Sequence, residues 1–219
     1  MTLVAVTKTV PASRVRAAVA AGFAILGENR VQEAAPKIEA IGGAAFGAAA
    51  ARGATVPPGP ELAWHLIGPL QSNKVRHAVE LFDVVETVDS LALARRLDRL
   101  AGEMGRRVLP VLLQVNVDAD PAKSGYAPAV LESELPDLLT LPRLRVDGLM
   151  TVGNLVPVAE QARPTFRRLR ELSGRLRAVQ SGLGPVLSMG MTDDFEVAVE
   201  EGATVVRVGR GIFGERPAP

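Results

Sequence analysis

The sequence predicts an α/β fold, a single (β/α)8 barrel. Three observations carry this. Apolar runs of strand length alternate with helix-patterned segments along the whole chain, the signature of a parallel sheet. The runs number eight, the count at which such a sheet closes on itself. The turn after the first run is Lys8-Thr9-Val10-Pro11, not the glycine-rich turn that an open dinucleotide-binding sheet carries there. The 219 residues suit one barrel and one domain, 1–219.

The elements follow in order. Leu3 to Lys8 is the first strand. Pro11 stands where a first-turn proline is tolerated, and Ser13 to Ala21 reads as a helix ending at Gly22. Ala24 to Glu28 is the second strand, with a helix from Arg30 to Ile41. Gly42 to Pro60 is rich in Ala, Gly and Pro and reads as a loop insertion. Ala63 to Gly68 is the third strand, with a helix after Ser72, and Val84 to Asp89 is the fourth. Ser90 caps a helix running to Met104. Val108 to Val117 and Pro128 to Leu139 form the fifth strand and its helix. Val146 to Val152 precedes a long helix from Ala159 to Val179. Val186 to Met189, a short helix from Asp193 to Glu201, and Thr204 to Gly209 complete the pattern.

Composition narrows the function. The chain is 47% apolar and only 4% aromatic, which predicts a core of Ala, Val and Leu. Lys plus Arg number 25 against 24 Asp plus Glu, a balance with no global pull toward nucleic acid or membrane. The run Arg167, Arg168, Arg170, Arg175 and Arg177 mixes with leucines as a solvated amphipathic face does. Cysteine is absent, which excludes disulfides, thiolate metal sites and cysteine nucleophiles, and fits a reducing cytoplasm. No apolar run is long enough for a membrane span, and the first residues lack the pattern of a signal peptide.

The chemistry gathers at two ends of the chain. Lys8 ends an apolar strand and shares parity with Val4 and Val6. In a barrel that end is the catalytic face. An amine walled by apolar groups favours its neutral form, which can condense with a carbonyl. The other end supplies Leu187 to Thr192 and Val206 to Gly211. Loops after the seventh and eighth strands of barrels commonly bind phosphate, and small residues there let backbone N–H groups approach an anion. Closure puts strand eight beside strand one, so Lys8 and the phosphate turn share one mouth. An amine near a phosphate site is the arrangement that pyridoxal 5'-phosphate (PLP) requires.

Arg207 has the opposite parity to Val206 and Val208 and points into the barrel if those two face the helices. Its roles are a cation beside a cofactor ring or a structural ion pair. Gln114 and Asn116 share an inward parity on strand five and read as ligand contacts or as a satisfied polar layer. His65 and His77 are too isolated for a metal site, and Trp64 belongs to the core.

Several segments together resemble the YggS/PROSC family of PLP homeostasis proteins, which is similar in fold to the barrel domain of alanine racemase. They are Leu3 to Thr9, Gly27 to Glu33, Trp64 to Lys74, Lys123-Ser124-Gly125, Gly148 to Thr151, Leu187 to Asp194 and Val206 to Gly214. The resemblance spans essentially the whole chain. It implies that Lys8 holds PLP as an internal aldimine and that Arg207 lies by the pyridine nitrogen. It places the phosphate on Ser188 and the backbones of Met189, Gly190, Gly209 and Arg210, and makes Asn29, His65 and Met150 pocket walls. It implies a monomeric cytoplasmic carrier or buffer of PLP, without established turnover, with apo PLP-dependent enzymes as recipients. A PLP-dependent amino-acid racemase is the alternative, and a cofactor-free Schiff-base aldolase a third reading.

Two departures from the family stand out. The family's usual helix before the first strand is lacking, as if the true start lay upstream of Met1. The groove between strands eight and one is therefore expected to be poorly covered, with Leu3 and Val206 exposed. Arg210 stands where the family often carries a small hydroxyl residue, which removes a side-chain phosphate contact.

Overall fold

The computed structural model describes residues 1–41 and 62–215. The expected loop insertion, Gly42 to Pro60, lies outside the described residues. Eight parallel strands close in sequence order: β1 Thr2–Val6, β2 Ile25–Glu28, β3 Ala63–Leu66, β4 Val84–Val88, β5 Leu109–Gln114, β6 Leu144–Met150, β7 Val186–Met191 and β8 Val205–Val208. Around them run α1 Ala12–Ala20, α2 Val31–Ile41, α3 Val75–Leu81, α4 Leu91–Glu103, α5 Pro128–Leu139, α6 Arg163–Val179, α7 Phe195–Glu200 and α8 Arg210–Phe213. Single 3-10 turns, Ser72–Lys74 and Ala159–Ala162, lead into α3 and α6.

Local chemistry sets the element ends. The Ser90 hydroxyl accepts the Leu93 N–H at 3.3 Å and caps α4, as its sequence position predicts. Pro128 opens α5, where its missing N–H costs nothing. The arginine-rich face of α6 is ion-paired as well as solvated. Arg163, Arg167 and Arg170 converge on Glu201 at 3.1, 3.4 and 2.8 Å.

Strand register decides what faces the barrel interior, because side-by-side residues share a face. Val4 lies beside Arg207, Val6 beside Gly27, and Gly27 beside His65. Gln114 lies beside Met150, and Met150 beside Ser188. The alternate positions, among them Leu26, Leu66, Val85, Leu113, Leu149 and Val206, are buried in the main hydrophobic core.

The groove between β8 and β1 differs from expectation in one half. Leu3 is 39% exposed, as expected, but Val206 is 1% exposed. The short helix α8, too brief to leave a periodic signal, turns back after β8 and buries Phe213. The Arg14 guanidinium on α1 donates to the Phe213 carbonyl and ties the two helices together.

Candidate functional site

Lys8 lies two residues past β1, half-buried in a turn at the carboxyl end of the barrel. The next residue, Thr9, has φ 63°, an uncommon conformation for a residue with a side chain. The turn is held from behind. The Thr7 carbonyl accepts the Val10 N–H at 3.0 Å and the Lys37 ammonium at 2.6 Å. Lys37 also meets Glu28 at 2.6 Å, and the Thr7 hydroxyl donates to the same carboxylate oxygen at 2.5 Å. Burial pushes the Glu28 carboxyl above its ordinary value, against the pull of Lys37 and Thr7.

Inside the barrel a polar chain joins four strands. His65 Nδ1 lies 2.6 Å from Glu86 Oε1. The Ser188 hydroxyl donates to Glu86 Oε2 at 2.6 Å and accepts from Arg207 Nη1 at 2.6 Å. Arg207 Nη2 reaches the Thr151 carbonyl at 2.8 Å. Burial alone would raise the Glu86 carboxyl, but the His65 bond, the charges of His65 and Arg207 and the Ser188 bond outweigh it and hold it below the ordinary carboxylate range. Burial lowers Arg207, and the charges of Glu86 and Asp194 oppose that shift. Arg207 thus points inward, with its charge answered by buried carboxylates.

The rim of the mouth is built by the ends of β7 and β8. Gly209 N–H donates to the Thr192 hydroxyl at 3.2 Å, which leaves that hydroxyl's own proton to be donated elsewhere. A Cβ on Gly209 would stand 3.4 Å from the Val6 Cβ, so this turn lies against the strand leading to Lys8. Arg210 pairs with Asp193 across the rim and with Glu215 at 3.7 Å, so its side chain is engaged away from the barrel axis.

The expected site residues divide accordingly. Lys8, Asn29, Gly209 and the Arg210 backbone stand at the mouth, with His65, Met150 and Arg207 deeper in the wall. Ser188, expected on a phosphate, is fully buried, with its hydroxyl committed to Glu86 and Arg207. Strand alternation aims it into the barrel below the rim. Thr192, four residues on at the end of β7, carries the hydroxyl that stands at the rim, and sequence reading did not single it out. Met189 is buried in the hydrophobic core. Gly190, at φ 91°, lets α7 pack on β7, since a Cβ there would sit 2.6 Å from the Ala198 Cβ.

The Gln114 amide donates to the Ser124 carbonyl at 3.0 Å, while its Oε1 is buried without a partner among the described residues. Asn116 closes its own loop, donating to the Asp120 carbonyl at 2.8 Å and accepting the Asp120 N–H at 3.1 Å. Trp64 is core, and His77 is exposed on α3. A cavity of about 620 Å³ opens beside Asn29, lined also by Arg30, Glu33, Pro69, Gln71 and Lys74. Among the described residues no group of three or more His, Asp or Glu side chains could hold a metal ion. No described helix is long and apolar enough to cross a membrane.

Comparison with known proteins adds independent findings. The family described as alanine racemase, N-terminal domain, matches residues 1–217. The pyridoxal phosphate homeostasis protein of Pseudomonas aeruginosa is 44% identical, covering 98% of this chain and 84% of its own length. That of Aquifex aeolicus is 38% identical, covering 98% and 86%. The structure of PipY from Synechococcus elongatus PCC7942 with PLP bound matches with a TM-score of 0.84 at 42% identity, over 98% of this chain and 92% of that one. The alanine racemase of Clostridium difficile 630 matches with a TM-score of 0.73 at 14% identity, over 100% of this chain and 53% of that one; this is a likeness of fold.

Proposed function

The chain belongs to the family of the alanine racemase N-terminal domain, and from that premise we propose that it binds PLP covalently at Lys8 and serves in the homeostasis of that cofactor. The observation that carries this reading is the juxtaposition of a half-buried lysine with the Thr192–Gly209 rim at one barrel mouth. The residues present fit the cofactor. Lys8 offers an amine, Thr192 a hydroxyl with a proton to give, and Gly209 a backbone without a side chain beside the strand that leads to Lys8. Arg207 presents a guanidinium from the barrel interior. Bound there, PLP supplies an electrophilic aldehyde for the amine and a phosphate for the rim.

Each group then has a separate task. The turn pinned by Lys37 orients Lys8. Thr192 and the backbone at Gly209 and Arg210 take the phosphate. Arg207 stands toward the ring, while His65, Met150 and Asn29 wall the pocket. Ser188 acts through Arg207 and not on the phosphate. Delivery to apo PLP-dependent enzymes, or storage of PLP, follows as the biological role.

The family match also raises a racemase. Racemisation needs acid–base groups on both faces of the substrate carbon, and the tyrosine available for this is unsuited. Tyr126 is buried, and that burial, with Glu134 beside it, pushes its phenol well up. The carrier reading is therefore preferred. Borohydride treatment of the PLP-loaded protein followed by peptide mapping tests it. The expected result is a label on Lys8 that is lost in Lys8→Ala; a label on another lysine overturns the assignment.

A further inference from the structure

Glu86 lies at the centre of the interior polar chain, fully buried, with each carboxylate oxygen committed to a different neighbour. One oxygen faces His65 at 2.6 Å and the other takes the Ser188 proton at 2.6 Å. Ser188 in turn accepts Arg207 at 2.6 Å, and the guanidinium stands 4.0 Å from the carboxylate itself. The order of donors is fixed by chemistry. A guanidinium can only donate, so Ser188 must accept from Arg207 and donate to Glu86. An ionised carboxylate can only accept, so the His65 proton on that side must reside on Nδ1. The His65 side chain is 12% exposed, and with Nδ1 held on Glu86, Nε2 is the ring nitrogen left for a further contact.

We propose that Glu86 is the positioning residue of the site: it holds His65 with Nδ1 protonated so that Nε2 is presented to the mouth, and through Ser188 it fixes the direction of the Arg207 guanidinium. The proposal rests on the assignment of Arg207 and His65 to the PLP pocket. It adds that these two contacts, from β3 and β8, are governed by one carboxylate on β4. When the ring carries a single proton, Glu86 keeps it on Nδ1, so that Nε2 meets the mouth as an acceptor and not as the donor of the other tautomer. An unanchored Arg207 would be free to turn toward any anion entering the barrel, including the phosphate end of the cofactor. The anchored one answers only a group that comes to it. Glu86 thereby selects which end of the ligand goes inward.

The test uses the whole protein and two readouts. The chain has only 2 histidines, and His77 is exposed on α3, so ¹⁵N spectra of the imidazoles contain one partly buried and one solvent-exposed ring. Without ligand, the wild type should show His65 protonated at Nδ1, and Glu86→Leu should move that proton to Nε2. Glu86→Gln keeps the shape of the side chain and serves if Glu86→Leu does not fold. There the Nδ1 signal should shift or broaden, while Ser188→Ala should leave it in place. PLP affinity, read by absorbance titration, should fall about tenfold or more in both Glu86→Gln and Ser188→Ala, and the double variant should lose no more than the worse single one. A wild-type His65 protonated at Nε2 overturns the proposal. So do unchanged affinities, or losses that simply add. A wild type that fails to take up PLP refutes the functional assignment instead, while the ¹⁵N readout still reports on the Glu86–His65 pair.

Discussion

Lys37→Met isolates the support behind the Lys8 turn. The ammonium makes two bonds of 2.6 Å, to Glu28 and to the Thr7 carbonyl. Without it, Glu28 is a fully buried carboxylate whose Oε2 already lacks a partner among the described residues. Breaking a buried pair from one side costs about 3–5 kcal/mol, which for a chain of this size lowers Tm by roughly 6–20 °C. The cost must depend on pH, because Glu28 can escape by taking a proton. Its folded pKa is already raised by burial and rises further once Lys37 is gone. A group with a raised folded pKa contributes most below its unfolded value, about 4.3, and that contribution is lost as pH rises through the folded value. The variant should therefore approach the wild type near pH 4–5 and fall furthest behind near pH 8. Glu28→Gln/Lys37→Met, which leaves no charge to bury, should recover much of the loss. Urea unfolding at the two pH values measures all of this. A deficit under about 1 kcal/mol that is the same at both pH values would refute the reasoning.

Three further outcomes follow from the same geometry. Thr192→Val removes the rim hydroxyl and should weaken PLP binding by roughly tenfold to a hundredfold, measured by absorbance titration; an unchanged affinity would place the phosphate elsewhere. Gly190→Ala imposes a side chain at φ 91° and a Cβ 2.6 Å from the Ala198 Cβ, costing about 2–5 kcal/mol, whereas Gly174→Ala, with open space around it on α6, should stabilise by about 0.5–1 kcal/mol; thermal melts that reverse this order would contradict the packing described. Alanine racemisation by the PLP-loaded protein should stay well under about 1 per second, as followed by chiral chromatography, and faster turnover that disappears in Lys8→Ala would promote the racemase reading.

The barrel was legible because its signals are local and repeated. Each strand is an apolar run bounded by a helix start, and Ser90 and Pro128 mark two of those starts by capping chemistry that does not depend on the rest of the fold. The inward aim of Arg207 was also legible, since Val206 and Val208 fix the parity of β8. What escaped was of two kinds. The four-residue helix α8 is shorter than any period that could announce it, and the burial of Val206 was not foreseen either. Glu86 was passed over because, within Val84 to Val88, it reads with Thr87 as a polar pair in an otherwise apolar strand. Its meaning comes from His65, Ser188 and Arg207, which lie 21, 102 and more residues away along the chain.

The contrast between Ser188 and Thr192 shows what strand parity can and cannot decide. Parity assigns a face but not a height. Ser188 does point inward, as a residue of that parity must, yet its register beside Met150 on one side and Val205 on the other sets it below the rim. The register between β7 and β8 then slips, so that Met191 comes beside Arg207. That irregularity carries the end of β7 past β8 and delivers the Thr192 hydroxyl to the Gly209 N–H. A hydroxyl at the lower level can be satisfied only by buried groups, and Glu86 and Arg207 satisfy it; one at the upper level has a proton left for a ligand. The difference in height between the two follows from a register shift, which depends on how the strands pair and not on the sequence of either strand alone.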